Sequence, residues 1–137
     1  MRPLLLAVLA LLGLSIVLLW RARAVHRASV ELHGLTRFRE QLQGRYPEAL
    51  VAQVFAFLAD RHGDTEGRTT VNPSDDLARD HRLAALDLED AVLVIADRAG
   101  ARLPGARDLD VLTGRVRTVE ELLQFLLPFF RTDTPPA

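Results

Sequence analysis

Cysteine is absent from the 137 residues, which rules out a disulfide framework, a thiolate metal site and a thiol nucleophile. Serine is scarce, with Ser15, Ser29 and Ser74 the whole supply. The four histidines, His26, His33, His62 and His81, include no i, i+4 pair with a third ligand nearby, so no metal site is expected. No Walker or dinucleotide glycine loop occurs. No stretch alternates apolar and polar residues as a half-buried strand would, and no segment repeats. A triad of Ser74, Asp80 and His81 would draw on residues crowded into one short stretch, a poor basis for nucleophilic catalysis. The sequence therefore predicts no catalytic residue and no cofactor.

What the chain does have is one long apolar run. Residues 4–20 (LLLAVLALLGLSIVLLW) contain no charge and a single polar side chain, Ser15. At 1.5 Å per residue they span about 25 Å, slightly less than a ~30 Å hydrocarbon core. Trp20 stands where an interfacial aromatic belongs, and Arg21, Arg23 and Arg27 follow it as a membrane-interface cluster. A cleaved secretory signal is the rival reading, since Ala22-Arg23-Ala24 has the small-x-small pattern. The length of the apolar run and the arginines at 21 and 23 favour a retained single-pass anchor. Arginine after the span points to a cell-membrane protein whose C-terminal domain is cytoplasmic.

Charge divides the remainder. Residues 1–46 carry seven arginines against Glu31 and Glu40, a net of +5, whereas residues 47–137 carry ten arginines against sixteen acids, a net of −6. The basic neck suits anionic lipid headgroups. The acidic body is the wrong sign for nucleic acid. The expected organisation is a transmembrane anchor over residues 1–20, a basic juxtamembrane helix or linker over 21–46, a helical bundle over 47–130 and a disordered tail over 131–137.

Within the neck, Val30, Leu32, Leu35, Phe38 and Leu42 share a stripe that could pair with a second copy, lie on lipid or pack on the bundle. This segment either continues the anchor helix or bends along the interface. Gly44-Arg45-Tyr46-Pro47 ends it with turn chemistry. A helix then begins at Pro47 and Glu48, with Leu50, Val51, Val54, Phe55 and Leu58 inward and Gly63 as its stop. Residues 63–79 read as a polar loop. Residues 86–100 (LDLEDAVLVIADRAG) form a helix with acids in its first turn, as the helix dipole prefers. One short turn is expected at residues 108–112. Thr118-Val119-Glu120-Glu121 is a capping box opening a last helix that should end before Pro128.

Taken together, these pieces resemble an acyl carrier protein. Val71-Asn72-Pro73 leading to Leu77-Ala78-Arg79-Asp80 is similar to the family's loop. Residues 86–104, closing in Gly100-Ala101-Arg102-Leu103-Pro104, are similar to its second helix. Arg117-Thr118-Val119-Glu120-Glu121-Leu122 is similar to the opening of its last helix. The resemblance implies an all-α fold: an N-terminal transmembrane helix plus a small three- or four-helix bundle. It also implies that an Asp-Ser-Leu triplet should open the second helix and carry the phosphopantetheine arm on its serine. Here that triplet is Ala84-Ala85-Leu86, so the attachment position, Ala85, has no oxygen to esterify.

What the resemblance leaves is recognition. Asp87, Glu89 and Asp90 would meet a partner protein bearing a basic patch, or would merely stabilise the helix start. The expected function is a membrane-anchored, non-catalytic docking or scaffold module, with fatty-acyl or polyketide-type metabolism as the family's setting. The alternatives are a small accessory subunit of a membrane assembly, bound through its anchor and neck, and a true carrier whose serine lies elsewhere.

Overall fold

The computed structural model describes residues 2–61 and 70–130, and within them the side chains of all but residues 2 and 26–31. The tail at 131–137, the proposed stop at Gly63, His62 and the side chains of His26 and Arg27 lie outside the described residues. Six helices follow one another: α1 (Arg2–Leu42), α2 (Glu48–Arg61), α3 (Ala85–Arg98), α4 (Ala106–Asp110), α5 (Leu112–Arg115) and α6 (Val119–Phe130). Among the described residues there is no strand, only an isolated bridge between Asp76 and Thr118.

The anchor and the neck form a single helix. No proline interrupts residues 4–42, and a lone glycine such as Gly34 costs about 1 kcal/mol against alanine, too little to stop a helix packed at its far end. At 41 residues, α1 is about 60 Å long. Its stretch Pro3–Val25 is long and apolar enough to cross a membrane, and none of it is buried within the protein. Those 23 residues reach about 35 Å, which matches the hydrocarbon core without stretching. Ser15, the one polar side chain in residues 4–20, donates its hydroxyl to the carbonyl of Leu11 at 2.8 Å, so the apolar stretch carries no unsatisfied side-chain donor.

α1 stops where Gln43 and Gly44 both turn left-handed, at φ 53° and 70°. A short turn then sends α2 back along α1. Phe38 meets Phe55 with ring centroids 5.9 Å apart, and Arg39 forms an ion pair with Glu48. The last turns of the neck are thus part of the bundle: Phe38 and Leu42 are buried with Leu50, Val54 and Leu58 of α2. Of the three fates open to the neck stripe, its lower part packs on the bundle, whereas Leu32 stays exposed.

α3 and α6 share a direction, and α2 packs against both. At the start, Arg45 and Tyr46, just ahead of α2, both reach Glu120 in the first turn of α6, at 2.6 and 3.3 Å. At the finish, Asp60 of α2 lies 3.8 Å from Arg98 of α3. Arg102, just after α3, donates its backbone N–H to the carbonyl of Phe129 in α6 at 3.3 Å. α3 and α6 therefore run alike, while Arg61 at the end of α2 also donates to the carbonyl of Arg82, just ahead of α3, at 3.1 Å. Their inward faces are those the 3.6-residue spacing predicts: Leu88, Val92 and Ile95 from α3, and Val119, Leu122, Leu123 and Leu126 from α6.

Two expectations about boundaries need correcting. The turn expected at residues 108–112 is a pair of short helices, α4 and α5, hinged at Val111. The last helix does not end before Pro128 but includes it and continues to Phe130. Proline removes one backbone donor, a small loss in a final turn that buries Phe129, whose ring also packs on Phe125 and on the Arg102 guanidinium at 5.7 and 4.6 Å.

Candidate functional site at the start of the third helix

The residues before α3 are held by a compact polar turn. Asp75 accepts the Asn72 backbone N–H at 2.9 Å, while its own N–H donates to the Asn72 carbonyl at 3.1 Å. Asp76 accepts the N–H of Arg79 and Asp80 accepts that of Asp76, both at 2.8 Å. This short acid-rich sequence closes its turn because aspartate reaches backbone donors two to four residues away. The Arg79 side chain and the Asp76 N–H hold the Asp80 carboxyl below the usual carboxylate range, and Arg79 is raised in return.

Three backbone bonds then strap the turn to the start of α6: Leu77 N–H to the Arg117 carbonyl, Val119 N–H to Asp75 and Glu120 N–H to Pro73, at 2.8, 3.1 and 2.9 Å. There the expected capping box is present. Glu121 accepts the N–H groups of Arg117 and Thr118 at 2.7 and 3.0 Å, and the Thr118 hydroxyl accepts the Glu121 N–H at 3.2 Å. Removing this hydroxyl by Thr118→Ala is expected to cost about 1 kcal/mol, measured as a lower urea midpoint with unchanged slope. The same N–H donors, Arg117 first, hold the Glu121 carboxyl below its usual range. Its contribution is complete above the ordinary glutamate range and is lost as pH falls through the depressed value. A pH series of urea melts should therefore show a wild-type acid-side loss that is reduced in Glu121→Gln.

His81 is buried, and its Nε2 lies 3.0 Å from the Asp75 carboxylate. The suggested grouping of Ser74, Asp80 and His81 is not assembled in this way: Ser74 is exposed, Asp80 serves Asp76 and Arg79, and the acid beside the histidine is Asp75. Asp75→Ala takes away a bond that a buried side chain uses, a loss of roughly 1–3 kcal/mol. Faster amide exchange at Leu77 and Val119 would register the loosened strap. No group of three metal-ligating side chains occurs among the described residues.

Beyond the turn the chain reaches the position where the sequence lacks a serine. Ala84 is the N-cap of α3, extended at φ −75° and ψ 171°, and it makes no side-chain cap bond. Ala85 is the first helical residue and both alanines are exposed. Beside them lies a cleft of about 260 Å³ between α3 and the segment entering α6. Leu77, Leu83, Leu88 and Val116 form its apolar wall, and Asp76, Thr113 and Arg117 its polar rim. Leu86, the next residue, is 78% exposed. Asp87 and Asp90 are exposed on the same side of α3, with Glu89 half-buried at the edge. The structure thus places Ala84 and Ala85 beside the cleft, with Asp87 and Asp90 exposed on the first turns of the same helix.

Compared with known proteins, the chain matches no family model, no curated protein sequence and no solved structure. The site must be argued from its own residues. Sequence reasoning missed Asp75 as the partner of His81, although Asn-Pro-Ser-Asp is a turn signal that points a carboxylate back onto the loop. It also missed Thr113, Val116 and Arg117, which reach the cleft because α5 packs on α3. Far from this site, Trp20, Arg21 and Arg23 are exposed on α1 within the apolar stretch and at its end, while the Arg27 side chain lies outside the described residues.

Proposed function

We propose that the chain is a membrane-tethered, non-catalytic docking module of acyl-carrier type that has lost its prosthetic-group attachment point. Residues 3–25 would fix it in the bilayer and the bundle would lie on the cytoplasmic side. The observation that carries this reading is the exposed, uncapped start of α3, where Ala85 stands beside the cleft and next to Leu86, Asp87 and Asp90. A helix start that could have a capping oxygen and has none, on a surface that exposes a leucine among acids, suits an apolar side chain and a basic patch on a partner protein. The link to fatty-acyl or polyketide-type enzymes rests on family analogy.

A second reading has one observation in its favour. Leu32 is 61% exposed on the part of α1 between the span and the bundle, as an accessory subunit bound through its neck would need. The two readings part when the full chain in nanodiscs is used to capture partners from its native membrane extract. The triple reversal Asp87→Lys, Glu89→Lys, Asp90→Lys is expected to abolish capture of a specific partner if α3 docks it. Capture unaffected by the reversal but lost in Leu32→Asp would overturn docking in favour of the subunit reading.

A further inference from the structure

The apolar span and the neck share a pattern along α1 that packing on the bundle does not use. Sorted by heptad position, residues 4–36 leave only two of the seven positions free of any charged residue or histidine. Those two stand three residues apart, the a-to-d spacing with which one helix packs along another. The d position holds Leu4, Leu11, Leu18, Val25 and Leu32, and the a position holds Val8, Ser15, Ala22, Ser29 and Thr36. Within the span any register would be apolar, so the neck is the informative part. Arg21, Arg23, His26, Arg27, Glu31 and His33 crowd it, and every one of them falls off this seam. The bundle does not account for the pattern. Leu35, Phe38 and Leu42 pack on the core, roughly 120° round the helix from the seam, while Leu32 is 61% exposed and Thr36 is exposed beside it.

The seam also has the chemistry of a helix pair in lipid. Large side chains at d alternate with small ones at a, so two backbones can approach closely between the leucines. Ser15 and Thr36 donate their hydroxyls to the carbonyls of Leu11 and Leu32, at 2.8 and 2.9 Å, and leave no donor to be stripped of a partner at a dry contact. Residues 4–36 run about 50 Å along α1. A contact about 10 Å wide over that length covers roughly 1,000 Å² on two copies together, the size a specific interface needs. We infer that α1 pairs with α1 of a second copy, as a parallel two-stranded coil running from the bilayer into the neck. A second copy is the occupant this register fits, because identical chains inserted the same way bring each d residue level with its twin across a two-fold axis. The strict heptad repeat winds the pair left-handed, and the two bundles sit on its flanks. The pairing rests on the proposal that residues 3–25 span the bilayer.

The chain has no cysteine of its own, so single cysteines report the register. Val25→Cys and Leu32→Cys, on the seam, and Arg23→Cys and Arg37→Cys, off it, are made in the full chain. Each is reconstituted in phosphatidylcholine vesicles at low protein density and oxidised. Disulfide-linked dimers forming several-fold faster at 25 and 32 than at 23 and 37 are the expected result. A second measurement needs no cross-link: energy transfer between copies labelled through Ala49→Cys, expected to fall several-fold on adding Ala22→Phe or Leu32→Lys. Both substituted side chains are exposed, and circular dichroism checks that the helices persist. Equal cross-linking at the four positions, or energy transfer indifferent to both substitutions, would overturn the pairing while leaving the anchor in place. A chain washed from the vesicles by alkaline carbonate would overturn the spanning helix and the pairing with it.

Discussion

The full chain carrying Ala84→Asp and Ala85→Ser, incubated with coenzyme A and a phosphopantetheinyl transferase, is expected to gain the mass of one phosphopantetheine arm. The wild-type chain under the same conditions is expected to gain none. The change is all-or-none because an alanine methyl offers no nucleophile at any concentration of enzyme, while a serine at position 85 places a hydroxyl on an exposed first turn. Aspartate at 84 brings a second, independent effect. Its carboxylate can accept a free N–H of the first turn of α3, where no side chain caps at present, and a restored cap adds about 1 kcal/mol. A raised urea midpoint would show that the variant is folded and α3 capped. A folded, capped variant that stays unmodified would sink the carrier resemblance, because the transferase reads the shape around the serine as well as the serine. An adduct on the wild type would show instead that the chain is a working carrier, with Ser74 the first residue to map.

Phe38→Ala is expected to produce the largest loss of stability of any single change outside the bundle's own helices. Phe38 is fully buried and stacked against Phe55, and truncating a buried phenylalanine costs roughly 3–5 kcal/mol. Set against a domain stability of about 5–15 kcal/mol, that would leave a bundle partly unfolded near physiological temperature. Leu32→Ala on the same helix, where the side chain is exposed, should change stability by less than about 0.5 kcal/mol. Urea unfolding in mild detergent, followed by amide exchange in α2 and α6, distinguishes the two. If both substitutions have equal, small effects, α1 does not take part in the core. A practical corollary is that cutting the chain after residue 45 removes Phe38, Leu42 and the ion pairs of Arg39 and Arg45, so binding lost in such a fragment reports unfolding rather than a missing anchor.

Much of the architecture was legible because helical periodicity survives in a chain with few interruptions. Leu50, Val51, Val54, Phe55 and Leu58 are inward as their spacing requires, and the box at Thr118 and Glu121 opens a helix as its chemistry demands. Boundaries were harder. Pro128 argues for a stop only as long as nothing beyond it is worth burying, and Phe129 is. Gly34 argues for a break only if nothing holds the neck straight, and the packing of Phe38 and Leu42 on α2 does so. The pairing of His81 with Asp75 was out of reach for a different reason: six residues apart in a loop, they meet only because three backbone bonds to the start of α6 give that loop its shape.

Composition and local spacing determined that this chain has no thiol chemistry, that one helix is apolar enough to cross a bilayer, that the bundle is built of helices, and that position 85 lacks a hydroxyl. These follow from which atoms are present and from local spacing, neither of which depends on distant contacts. Only the tertiary structure decided that the first helix ends inside the core and that α2 turns back along it. It alone set the alanine pair beside the cleft. Those outcomes depend on how a five-residue turn at 43–47 aims one helix against another, and burial of side chains far apart in sequence sets that aim.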